Sequence, residues 1–304
     1  MRATFSNPFE AKGQWFKGNL HTHTLNSDGE ESAEQLVNAY RGAGYDFLSI
    51  TDHGKLTETE GLSTPDLLLI PGEELCVGSS ETGRFFHVVG ANIGGEIPVD
   101  DLNEDGSPQN VIDLILGLGG VAWIAHPYWS DLNNKDLAGL QRHLGVEVYN
   151  TNCELTIGRG LSNVHWDDLL VKGLRPLGLA VDDAHSRERP YLPDDSCRAW
   201  VNVKAESLST RSIIDSLTSG LFYSSCGPEI TGIEIRGEEI VVSSSRARSI
   251  AFISNGGLGE KNTAEAGSLI SAKYSLKGGE RYVRVEVTDR KGRTAWSNPI
   301  FLES

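Results

Sequence analysis

Six of the eight histidines in this chain fall at the carboxyl end of a short β-type run, and acids accompany several of them. The runs are FKGNLH (16–21), DFLSIT (46–51), DLLLIPGEEL (66–75), RFFHVVGANI (84–93), VAWIAH (121–126), GVEVYN (145–150) and RPLGLAV (175–181). Most are rich in Val, Ile, Leu or Phe, as strands are. Helical stretches lie between several of them. SAEQLVNAYRGAG carries apolar residues at helical spacing and stops at glycine. SPQNVIDLILGLGG opens on Ser-Pro, suited to the N-cap and first helical positions, and VHWDDLLVKG (164–173) is a third. Such alternation predicts parallel strands joined by helical crossovers, hence an α/β barrel or sheet. In a barrel of this class the carboxyl ends of the strands share one rim, where function sits.

That rim would gather His21 and His23 from NLHTHT, His53 with Asp52 from ITDHG, and Glu73 or Glu74 from GEEL. It would also gather His87, His126, and Asp182 or Asp183 with His185 from AVDDAH. His143 and His165 fall in helical stretches. One histidine at a strand end is more often a hydrogen-bonded structural group than a ligand. Six with acids on one rim, and no cation among them, would concentrate desolvated polar groups at large cost. Imidazole and carboxylate without cysteine suit Zn, Mn or Fe(II). About nine ligands exceed one tetrahedral ion and suffice for two or three ions sharing carboxylate bridges. Centres of this make-up activate water and clamp oxygens at a phosphoryl or acyl centre, so metal-assisted hydrolysis is the expectation.

Composition narrows the setting. With 304 residues, 38% hydrophobic and 23% charged, the chain can bury a sizeable core. No run is long enough to span a membrane, and no secretory leader is evident at the start, so a cytoplasmic location is expected. Cys76, Cys153, Cys197 and Cys226 are scattered and read as reduced thiols. A net charge of -15 argues against a nucleic acid duplex as partner, while a metal cluster could still draw a small anionic ester into one pocket. A homo-oligomer is compatible with all of this.

After about Pro228 the pattern changes to alternating strands broken by Gly and Asn turns, as in ITGIEIRGEEIVVSSS and RYVRVEVTDRKGRTAWSNPIFL. We therefore expect an α/β part over 1–226 and a small all-β, immunoglobulin-like sandwich over 227–304.

NLHTHT with SDG, ITDHG, GEEL, FHVVG, AWIAHP and AVDDAH occur in the order and approximate spacing of the PHP (polymerase and histidinol phosphatase) family, which residues 15–225 resemble. The resemblance implies a distorted seven-stranded β/α barrel, TIM-like, with a trinuclear metal site and hydrolysis of phosphate esters. It implies a first metal on His21, His23, Glu74 and Asp183. Glu74 would bridge to a second on His87 and His126, and a third would take Asp28, His53 and His185. A metal-bound water near Glu74 and Asp183 would be the nucleophile. Asp52, Glu73 and Asp182 would orient ligands. VHWDDLLVKGLRPLGLAVDDAH, YSSCGPEI and RTAWSNPIFL further resemble a two-domain branch that includes carbaryl hydrolases, which shifts weight toward carboxylester, carbamate or amide cleavage as an alternative. A non-catalytic metal-stabilised binding protein is a third reading.

Tyr128 and Trp129, and Tyr149 and Asn150, follow strand ends and are expected to line the mouth of the site. Arg159 is placed to grip a phosphate or carboxylate oxygen, the plain alternative being a solvated loop arginine. Lys17 is a weaker candidate, and no general acid can be named from the residues.

Overall fold

The computed structural model describes residues 2–98, 106–186 and 193–303. Local signals in the chain set its helices. Ser32 caps the helix Ala33–Gly42 in a reciprocal box with Gln35, and Ser107 with Pro108 opens Pro108–Gly117. A third helix, Asn163–Val171, buries Trp166, Leu169 and Leu170. His143, expected in a helix, lies in a loop, where its Nδ1 is 3.0 Å from the Gly145 carbonyl.

The fold is mixed α/β. Seven strands are hydrogen-bonded in the order Gln14–Asn19, Phe47–Ile50, Leu68–Val77, Phe86–Ala91, Val121–Ile124, Gly145–Asn150 and Leu177–Val181. The first three pair parallel, as do the last three. Phe86–Ala91 runs antiparallel to both neighbours, against the expectation of parallel pairing throughout. Only residues 78–85 join it to the preceding strand, too few for a parallel crossover, which takes about a dozen or more. The reversal carries a consequence for the site. His87 reaches the common rim from the start of its strand, whereas the other five histidines of that rim follow strand ends.

The seventh strand ends beside the first. The Asp183 amide donates to the His21 carbonyl at 2.9 Å and the His23 amide to the Ala184 carbonyl at 2.8 Å, so backbone bonds join the two elements at the rim itself.

On the other edge of Gln14–Asn19, the strands Trp200–Ala205 and Phe222–Ser225 extend the sheet antiparallel, and Phe222–Ser225 pairs in turn with Thr294–Ser297. The sheet thus continues unbroken into the C-terminal strands Ser249–Ile253, Gly259–Thr263, Tyr282–Thr288 and Ile300–Glu303, the last of which pairs with Arg2–Thr4. A small antiparallel sheet, Ile230–Arg236, Glu239–Ala247 and Leu269–Ser275, packs its Ile233, Ile240, Val242 and Tyr274 against Ile250, Phe252 and Val285. The strand GEKNT (259–263) is polar at an edge and carries no alternating signal.

Tyr282 and Trp296 join the core formed by Trp166, Leu169 and Leu170, fastening the C-terminal strands to the α/β part. Within that seam Arg284, 1% exposed, forks onto Asp167 at 2.6 and 2.7 Å and reaches Glu286 at 2.6 Å. Asp167, on the helix Asn163–Val171, is this arginine's partner.

Candidate metal centre

The structure brings His21, His23, Asp28, His53, Glu74, His87, His126, Asp183 and His185 together. Their donor atoms fall into overlapping sets in which all lie within 4.8 Å of one another: His21, His23, Glu74 and Asp183; Glu74, His87 and His126; and His23, Asp28, His53 and His185. A further set adds a residue expected only as a scattered thiol: His53, Cys76 and His87.

Glu74 stands at the centre. Its Oε1 is 2.8 Å from His87 Nδ1 and 3.2 Å from His126 Nε2. Its Oε2 is 3.1 Å from both His21 Nε2 and His23 Nε2 and 3.2 Å from His53 Nδ1, yet it is buried and makes no hydrogen bond. Asp183 Oδ1 lies 3.0 Å from His23 Nε2 and 3.3 Å from His21 Nε2. On the open side, Asp28 is 3.3 Å from His185 Nε2 and 3.6 Å from His53 Nε2. Gly29 lets that loop fold tightly, since a Cβ there would meet the His23 carbonyl oxygen at 2.5 Å.

Whether this set suits a cation can be tested on His21. Its Nδ1 lies 2.7 Å from Glu147 and donates to it, which leaves the Nε2 lone pair facing inward. There it meets His23 Nε2 at 3.1 Å alongside the oxygens of Glu74 and Asp183. Acceptors that converge without a donor require a positive centre. Tetrahedral zinc with nitrogen and oxygen ligands at 2.0–2.1 Å gives ligand–ligand edges of about 3.3–3.4 Å. The observed separations are close to that, and the donors fit a divalent cation.

Without a cation, protons take its place. Burial disfavours a charged His23, but the nearby Asp183 and Glu74 carboxylates outweigh it and lift its pKa to about 9. For the half-buried His87 desolvation again works against the charge, but the Glu74 charge and Cys76 raise its pKa to about 10. Burial would raise Glu74 and Asp183, yet the surrounding imidazoles hold both well below the usual carboxylate range. His126 and Asp183 have positive φ, 25° and 53°, a region sparsely populated by residues other than glycine.

Of the three expected orienting acids, Asp52 accepts from the Thr24 amide and hydroxyl at 2.7 Å each, from Ser27 at 2.6 Å, and from Thr57, fixing the loop that carries His23. Glu73 does not take that role. Neighbouring strand residues face opposite ways, so it accepts from the Ile97 amide at 3.1 Å, and burial raises it to about 7. Asp182 likewise points elsewhere, to Tyr40 at 2.7 Å, Thr151 at 2.9 Å and the Ala199 amide at 2.7 Å.

Glu147 is the orienting residue that sequence reasoning missed. It is fully buried, and besides His21 it accepts from Trp123 Nε1 at 3.1 Å, the His126 amide at 2.9 Å and Asn150 at 2.9 Å. An acid in the middle of the apolar run GVEVYN was the available signal. Ser130 backs His126 Nδ1 at 3.0 Å, and Asn150 holds Asp183 at 3.1 Å.

Tyr149, expected at the mouth, instead stacks on Trp296 with ring centroids 5.7 Å apart. A bulge between Glu147 and Tyr149 breaks strict alternation, so Asn150 shares the site face with Glu147 and Tyr149 turns toward the C-terminal strands. Tyr128 is partly exposed and lies beneath Arg159, whose guanidinium is 4.5 Å from its ring centroid. Arg159 itself pairs with Asp131 at 2.5 Å. Lys17 sits over Tyr45 and Trp200, as a packing cation. His165 is tied to the Leu132 carbonyl at 3.0 Å.

Beside His87 opens a cleft of about 300 Å³ lined by Arg84, Phe85, Trp129, Asp131, Ile157 and Arg159. A larger one, about 360 Å³, lies among strand starts such as Val121 and Leu177 and includes none of the metal-set residues. Of the two, only the first adjoins the metal set, through His87.

No protein-family model and no curated protein matches this sequence. Among solved structures, the chain is similar to a two-domain protein of Bacteroides vulgatus containing a predicted PHP-like metal-dependent phosphoesterase. Identity is 16%, 91% of each chain is covered, and the TM-score is 0.50. A candidate metal-dependent phosphoesterase of Bifidobacterium adolescentis is more distant, at 17% identity over 67% of this chain and 96% of that one, TM-score 0.45. So is an amidohydrolase of Chromobacterium violaceum, at 17% over 55% and 87%, TM-score 0.40. The likeness to the first is one of fold: a parallel-rich α/β part accompanied by a small antiparallel sheet.

Proposed function

We propose that this chain is a PHP-type metal-dependent hydrolase that cleaves a small phosphate ester. The observation that carries the reading is Glu74 Oε2, buried without a hydrogen bond amid three imidazole nitrogens within 3.2 Å. Two to three divalent ions, zinc, manganese or iron, would be held by the sets described above. Bound there, they supply Lewis acidity at a phosphoryl or acyl oxygen and lower the pKa of water. The protein's own part is to hold the donors. Glu147 keeps His21 in the tautomer that faces inward, Ser130 and Asn150 fix His126 and Asp183, and Trp129 packs edge-on against His126 at 5.0 Å, shielding that side from solvent. We read residues 1–226 as a distorted (β/α)7 barrel and 227–304 as an immunoglobulin-like sandwich, in a cytoplasmic protein acting on a small molecule.

A second reading, hydrolysis of a carboxylester, carbamate or amide, draws on a specific observation. Phe85, Trp129 and Ile157 give the cleft apolar walls, which suit a bulky uncharged group, while Arg159 and Arg84 both pair with Asp131. Protein loaded separately with zinc, manganese or iron(II) and assayed on phosphomonoesters, phosphodiesters, aryl esters and aryl carbamates separates the two. Phosphoester turnover is the expected result. Aryl ester or carbamate turnover with silent phosphoesters selects the second reading, and silence across the panel with metal bound selects a binding protein.

A further inference from the structure

Cys76 follows Glu74 by two residues on the strand Leu68–Val77, so both side chains emerge on the site face. The neighbouring strand pairs it directly with His87. Its Sγ is 3.4 Å from His87 Nε2 and 3.6 Å from His87 Nδ1, and His53 closes the third corner within 4.8 Å. A tetrahedral ion with Zn–S of 2.3 Å and Zn–N of 2.0–2.1 Å requires sulfur–nitrogen edges of about 3.6 Å. The fourth side is bounded by Glu74, whose buried Oε2 lacks a hydrogen bond and lies 3.2 Å from His53 Nδ1.

We infer that Cys76 is a metal ligand, its thiolate joining His53 and His87 to form a sulfur-containing position on the edge of the centre. This inference rests on the metal-dependent reading above. One sulfur and two imidazoles make a softer set than the carboxylate-bearing sets around it, and they favour a thiophilic ion such as Zn²⁺ or Cd²⁺ over Mn²⁺ or Mg²⁺. The position draws on two imidazoles that neighbouring sets also use. A soft ion there competes with ions held through His53 and His87 elsewhere, so the centre's composition depends on which metal arrives.

The test is reconstitution of the metal-free full chain with Co²⁺, followed by absorption spectroscopy. The expected result is visible ligand-field bands together with a near-ultraviolet sulfur-to-cobalt charge-transfer band. Cys76→Ser removes the charge-transfer band and keeps the ligand-field bands. Cys153→Ser, altering a thiol 4.0 Å from Asp183 Oδ2, leaves both in place. Ligand-field bands without a charge-transfer band in the unaltered chain, or a band surviving in Cys76→Ser, overturns the inference and leaves metal binding intact. No cobalt uptake at all overturns the metal reading itself. Protection of Cys76 from a thiol-reactive disulfide by Cd²⁺ provides a second readout, and equal labelling rates with and without Cd²⁺ count against the ligand role.

Discussion

Replacing Glu147 by glutamine changes one carboxylate oxygen into an NH2 group in a pocket where every partner is a donor. His21 Nδ1 and Trp123 Nε1 point at one oxygen, the His126 amide and Asn150 at the other. Whichever way the amide turns, two of these four hydrogen bonds become donor–donor contacts. At about 1–3 kcal/mol for each buried group left unsatisfied, the metal-free fold loses about 2–6 kcal/mol. His21 can relieve its contact by moving its proton to Nε2, which removes the inward lone pair. Loss of an orienting partner of this kind lowers metal affinity about 10–100-fold. Competition against a chromophoric chelator measures the affinity, and urea unfolding of chelator-treated protein measures the fold. A variant that is destabilised but binds metal as tightly as the parent refutes the tautomer argument and leaves Glu147 a packing residue only.

The raised imidazoles make pH behaviour differ between metal-free and metal-loaded protein. His23 and His87 titrate near 9 and 10 in the folded chain, against 6.5 for the free group. Their charged forms therefore stabilise the metal-free fold fully below pH 6.5, and that stability is lost as pH rises through about 9 to 10. Metal needs them neutral, so affinity rises over the same interval, and uptake near pH 7 releases protons. Melting curves of the two forms should diverge with pH, and parallel curves would sink the linkage. At the seam, Arg284→Met leaves Asp167 and Glu286 without their cation. Because these carboxylates are 27% and 18% exposed, the cost should sit near the low end for a broken buried pair, about 3 kcal/mol, read from urea midpoints. A midpoint unchanged within error would show that the apolar seam alone holds the C-terminal strands.

The six histidines of the set stood out because histidines and acids gathered beside apolar runs are costly to bury together unless a cation draws them in. Asp28, and the choice of Glu74 over Glu73 and of Asp183 over Asp182, came only from the family resemblance. The helix starts at Ser32 and Ser107 were written in capping chemistry. What stayed hidden depended on partners far away in sequence. The direction of Phe86–Ala91 follows from a short connection. The role of Glu147 follows from four donors, three of them on other elements or loops. A bulge invisible in GVEVYN exchanged the facings of Tyr149 and Asn150. Cys76 looked like one of four scattered thiols until strand register set it opposite His87. Glu73 and Asp182, adjacent in sequence to Glu74 and Asp183, face away from the site because neighbours along extended chain alternate in direction.

The left-handed backbone at His126 and Asp183 limits how these positions can drift. A glutamate at 183 would still offer a carboxylate, and a glutamine at 126 would still offer a donor atom, but neither residue type settles readily at positive φ. Aspartate, asparagine and histidine do, and glycine does so without steric cost. Neutral change is therefore channelled at both sites. A lineage that keeps the chain fold but abandons the metals should pass first through asparagine or glycine at 126 and 183, with the other donors free to wander more widely.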